Sequence, residues 1–159
     1  MESNVYMPLF KSIVAAMDKR AFDHAGLELK VVFWVNSVVL KIQKPAWRHH
    51  EPFVKGIFFS VWVNDTGIGA HRIYYNIHAL KMRELAGYKL KSREFAAQFR
   101  TGFKPFENDW PNVSTAFGPL TLMEGWVEMG DLDVVLPNLA LKFISIQHLI
   151  DDLLQKAKV

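Results

Sequence analysis

Four residues with useful chemistry recur at alternate positions late in the first half of the chain: Arg72, Tyr74, Asn76 and His78. Alternate side chains of an extended strand share a face. The spacing therefore predicts a row made of a guanidinium, a phenol, a carboxamide and an imidazole. The interleaved residues Ile73, Tyr75, Ile77 and Ala79 are mostly apolar and predict the buried face of the same strand. Such a row suits recognition of a small anionic ligand or of a protein partner. Arg72 would supply charge, and Tyr74, Asn76 and His78 would set orientation.

Two further runs feed that face. Residues 55–63 read as a strand with Ile57, Phe59, Val61 and Val63 on one side and Phe58, Ser60 and Trp62 on the other. A hairpin over residues 28–44, turning at Asn36-Ser37, pairs Val35 with Val38, Phe33 with Leu40 and Val31 with Ile42. Its outward set includes Trp34, Val39 and Lys41. Burying one large ring is worth ~1.5–3 kcal/mol, so Trp34, Phe58 and Trp62 call for a cover. Three covers compete: the chain's own segment 105–136, a second copy in a homodimer, or a ligand with Trp110 as its lid.

Other chemistries meet weaker support. A Ser-His-Asp set can be assembled from Ser60, His78 and Asp65 or Asp109, but no Gly-x-Ser-x-Gly elbow occurs. An enzyme would use His78 as general base with Asp109 or Glu124 as its partner. Glu124, Glu128, Asp131 and Asp133 offer carboxylates, which read more simply as a solvated acidic patch. Adjacent His49 and His50 lack the spacing of a metal motif, and no metal site is expected. Gly67-Ile68-Gly69 lacks the rest of a phosphate loop and reads as a hairpin turn, and no cofactor is expected.

Charge separates along the chain. Residues 72–104 carry eight Lys or Arg against Glu84 and Glu94, whereas residues 105–141 carry six acidic residues and no Lys or Arg. With Tyr74, Tyr75 and Tyr88 among the cations, segment 72–104 supplies the parts of a nucleic-acid surface. The overall charge of +3 favours mutual neutralisation of the two blocks instead.

The chain of 159 residues, half of them hydrophobic, is expected to form a single domain over 1–159 with a full core. The lack of cysteine removes disulfides and thiolate chemistry. No apolar run nears the ~20 residues of a membrane span, and the first residues lack a basic start, so a cytoplasmic location with no membrane partner is expected. Helical spacing marks residues 8–22, with Pro8 at the first position, and a terminal helix from about Asn138. Ser92 reads as the N-cap of a helix with Phe95, Ala96, Phe99 and Phe103 on one face. Residues 105–119 form a long aromatic connection, and 120–129 fits strand or helix. The expectation is an α+β fold: an antiparallel sheet of four or more strands, with a meander over 28–79, flanked by N- and C-terminal helices. It is expected to bind or self-associate rather than catalyse.

Overall fold

Period-two alternation builds the sheet. Strands β1 (Glu28–Trp34), β2 (Ser37–Gln43), β3 (Gly56–Val63), β4 (Arg72–Leu80) and β5 (Thr121–Glu128) pair in chain order as one antiparallel meander. The computed structural model describes residues 3–48 and 56–159 of the chain. His49, His50 and Lys55 lie outside them. The remaining elements are α1 (Ser3–Ala16), α2 (Arg20–Ala25), α3 (Asp65–Gly69), α4 (Ser92–Phe103), α5 (Leu132–Ile144) and α6 (Gln147–Ala157). The fold is α+β, with helices at both ends of the chain.

One sheet face carries Leu40, Phe59, Val61, Ile73, Tyr75 and Ile77, all fully buried. α1 packs against β1 and β2, α5 against β3, and α4 against β5. Phe59 and Phe143 stack there with ring centroids 4.6 Å apart. Trp47 holds the segment after β2 in place, donating its indole N–H to Asp151 Oδ1 at 2.9 Å. Lys44 Nζ reaches the other oxygen of Asp151 at 2.5 Å.

Several sequence expectations are corrected. The first hairpin turns at Val35-Asn36, both with positive φ, and pairs Phe33 with Val38 and Val31 with Leu40. The slide from the expected register is an even number of residues, so every side chain keeps its face. Residues 64–69 do connect the β3–β4 hairpin, but through a short helix and not a tight turn. Asn64 Oδ1 accepts from the Gly67 N–H at 2.7 Å and caps α3. α1 begins at Ser3 and contains Pro8, and Lys91, not Ser92, occupies the N-cap of α4. The C-terminal helix is two helices broken at Ser145-Ile146. Together they form an apolar stretch, Leu132–Ala157, but their 13 and 11 residues each fall short of the ~20 needed to cross a bilayer. Residues 120–129 resolve as β5.

Gly125 explains why a glycine stands in β5. A Cβ at that position would lie 2.2 Å from Tyr75 Oη and 2.4 Å from Cζ. Tyr75 cannot retreat, because its ring packs on Trp110 and Phe143 and its hydroxyl donates to the Pro111 carbonyl at 2.7 Å. Gly125→Ala should therefore lower unfolding free energy by at least ~1–3 kcal/mol in urea titrations. An unchanged midpoint would mean that the ring has room to move.

Candidate functional site

The other sheet face is organised in rows set by the ladder. Val39, Trp62, Tyr74 and Trp126 are successive partners across β2 to β5. Lys41, Ser60, Asn76 and Glu124 form the next row. Phe58 pairs with His78 beyond them. Trp34 stands at the far end of β1, opposite Ser37, and so at the diagonal corner from His78. Yet the Trp34 and His78 ring centroids lie 5.5 Å apart, and Trp34 meets Phe58 edge-on at 5.8 Å. Contact between opposite corners requires a strongly coiled sheet, concave along this diagonal. A register irregularity between β4 and β5 at Ile77/His78 adds local twist beside the imidazole.

The concavity leaves a cavity of about 310 Å³ lined by Trp34, Val39, Ser60, Trp62, Asn76, His78 and Glu124, with Val35, Ser37 and Asn64 at its remaining edges. Its volume is at the small end for ligand pockets. Its floor is polar and underused. Among the described residues, five buried side-chain polar atoms lack a hydrogen-bond partner. Three of them, Ser60 Oγ, Trp62 Nε1 and Asn76 Oδ1, belong to residues lining this cavity. Ser60 and Asn76 are only 1% and 2% exposed. Leaving such a group unpaired costs ~1–3 kcal/mol. Asn76 is not free to turn away, because its Nδ2 donates to Glu124 Oε1 at 3.0 Å. A carboxylate only accepts, so it fixes the amide with its oxygen left over.

The structure brings Trp34, Trp62, Asn76 and His78 together and separates them from three other residues expected at the site. Arg72 lies on the same face, but its guanidinium stacks on Trp126, 3.7 Å from the ring centroid, and does not line the cavity. Tyr74 backs the cavity wall by stacking on Trp62 at 4.6 Å. Gly67 of α3 closes against Tyr74 from the other side, where a Cβ would meet Cε2 at 2.7 Å. Trp110 is no lid. It is buried beneath the opposite sheet face against Tyr75, Phe103 and Phe143. The connection containing it runs along β5, where Ser114 exchanges backbone hydrogen bonds with Glu124, and does not cover the aromatic face. Glu124 joins the cavity as a wall residue. The alternation of Glu124, Trp126 and Glu128 against Met123, Gly125 and Val127 was the available signal for it.

Of the pairings a catalytic site would need, His78 and Glu124 line the same cavity, whereas the others lack support. Ser60 Oγ has no hydrogen-bond partner among the described residues, so it has no base. Asp109 is remote from His78; its carbonyl accepts from Lys142 Nζ at 2.6 Å in the helical layer. No cluster of three metal-binding side chains occurs among the described residues. The basic segment is spread over β4, the connection 81–91 and α4. Arg100 is spent on structure, donating to the carbonyls of Phe117, Gly118, Thr121 and Leu122 at 2.9–3.1 Å.

Burial shifts two groups on this face. Desolvation, then repulsion from Lys30 and Arg48, brings the Lys41 ammonium down to about 8, and it lies 4.6 Å from the Phe58 centroid. Desolvation also lowers His78 below its ordinary 6.5, partly offset by the Leu120 carbonyl. A depressed histidine stabilises the fold above the unfolded value and withdraws that stability as pH falls. Unfolding free energy should thus decline as pH drops below about 6.5, and His78→Gln should flatten the decline. An NMR titration placing the His78 midpoint at or above 6.5 would contradict this.

No protein-family model, curated protein or solved structure matches the chain, and functional inference rests on this geometry.

Proposed function

We propose that this protein is a small-molecule-binding domain whose ligand sits in the concave sheet face between Trp34 and Trp62. One observation carries the reading: three orphaned buried polar atoms belong to residues that line one aromatic cavity. A ligand that supplies partners for these atoms gains the hydrogen bonds that no side chain gives them. The aromatic walls add apolar burial. Among the described residues lining the cavity, Glu124 alone carries a formal charge, while Arg72 is engaged by Trp126. The charge pattern therefore supports a neutral or cationic ligand over the anion that Arg72 suggests in the bare sequence.

Access depends on Trp34. The three orphaned atoms have almost no accessible surface, and the half-buried indole leans across onto Phe58 and His78. It is carried by the Val35-Asn36 turn, where a β-branched residue adopts φ 49°. Such a backbone is costly for valine. A strained turn beside a wall residue is a natural point for movement on ligand entry.

Self-association has its own support. β1 is the end strand of the sheet, and Phe33 and Val35 near its tip are 47% and 71% exposed. An exposed apolar edge invites pairing with another strand.

A fragment library screened by ligand-observed NMR separates the two readings. Binding in wild type that is lost in Trp34→Ala and weakened at least ~10-fold in Asn76→Ala supports the pocket. A library without any Trp34-dependent binder would overturn it. Self-association would appear as a molar mass that rises with concentration and falls back in Phe33→Lys.

A further inference from the structure

The polar edge of the cavity has a definite donor and acceptor pattern, which narrows the ligand class. Resting on the pocket proposed above, we infer that the ligand is a flat nitrogen heteroaromatic bearing an exocyclic amino group beside a ring acceptor, in the manner of an aminopyrimidine or aminopurine.

Acceptors come first. Asn76 Oδ1 is held as an acceptor because the amide nitrogen is committed to Glu124 Oε1 at 3.0 Å. The Glu124 carboxylate lines the cavity next to it and can only accept while ionised. Two adjacent acceptors on neighbouring strands call for a group with at least two N–H bonds. An amino group on a ring supplies two from one atom. A carboxylate, phosphate or sulfate supplies none, and would add repulsion from Glu124.

The donors lie beside them on β3. Trp62 Nε1 carries a hydrogen that is always a donor, and it has no partner among the described residues. Ser60 Oγ, the cross-strand neighbour of Asn76, can donate or accept. A ligand satisfying both sides must combine an N–H₂ with a lone pair a short distance away. Amino-substituted azines have these two groups on adjoining ring positions. A tetraalkylammonium ion would suit indole walls and a carboxylate, but it offers neither N–H nor lone pair, and would leave all three orphans unpaired.

Shape agrees with the polar pattern. Trp34 and Trp62 provide flat walls, and one side of Trp62 is already occupied by Tyr74 at 4.6 Å. The volume of about 310 Å³ suits one or two fused rings without a large substituent. Aromatic side chains contribute stacking to a bound base that depends little on its identity. Discrimination between bases would therefore come from the Asn76–Glu124 edge.

Matched probes test this with the intact protein. Dissociation constants are measured by calorimetry for adenine against purine and for cytosine against pyrimidin-2-one, each pair differing by the amino group. Tetramethylammonium and inorganic phosphate serve as the cation and anion probes. The inference expects at least one amino compound to bind at least ~10-fold more tightly than its partner lacking the amino group. That ratio should shrink in Asn76→Leu and in Glu124→Gln, with folding of both variants checked by circular dichroism. Retention of the full ratio in both folded variants overturns the assignment of the edge. Equal binding of both members of each pair, no binding by either pair, or tighter binding of tetramethylammonium or phosphate overturns the ligand class. If Trp34-dependent fragments still bind in any of these cases, the pocket stands and only the class falls. If none do, both fall.

Discussion

The coil of the meander is the constraint on which the aromatic-polar face depends. A flat five-stranded sheet would leave Trp34 and His78 at opposite corners, too far apart to touch. Twist accumulated over β1 to β4 brings their rings to 5.5 Å and turns an open surface into a concavity. Trp34, Phe58 and His78 then bury one another, which accounts for much of the cover that these rings demand. Ser60 and Asn76 lie buried on the same curled face, beside the aromatic walls.

The helical layer fixes that deformation from behind. Tyr75, Trp110 and Phe143 form a packed aromatic group beneath β4 and β5, and Gly125 is the gap that admits the Tyr75 ring. Burial keeps the Tyr75 phenol protonated, so it remains a donor to the Pro111 carbonyl. Arg100 ties the entrance of β5 to α4 through four carbonyls. These contacts hold β5 against β4 in the register that sets Glu124 opposite Asn76. The position of the carboxylate in the cavity thus traces to packing on the other side of the sheet.

Of the five unpartnered buried side-chain polar atoms among the described residues, three belong to the candidate site. Buried polar groups elsewhere on this face find partners: Gln43 donates to the Ile57 carbonyl at 2.8 Å. Asn76 satisfies only half of its amide, and Ser60 and Trp62 satisfy none of their side-chain polar atoms. Apolar residues at these positions would pack without such a cost.

How much of this was legible beforehand follows from the range of each interaction. Alternation along β3 and β4 is local, and it correctly assigned Trp62, Asn76 and His78 to one face, with Trp34 joining through β1. Even the hairpin register error left the faces intact, because a slide by an even number of residues preserves strand parity. By contrast, the sequence left residues 120–129 undecided, because Gly125 weakens the strand signal and its reason is the Tyr75 ring fifty residues away. Arg72 and Trp110 were misplaced for a similar cause. Whether a cation faces a ligand or a neighbouring ring, and whether a loop tryptophan crosses a sheet above or below, depends on contacts between distant segments. The sequence by itself determined which side chains share a face; only the tertiary structure, through the coil of the sheet, decided which of them converge.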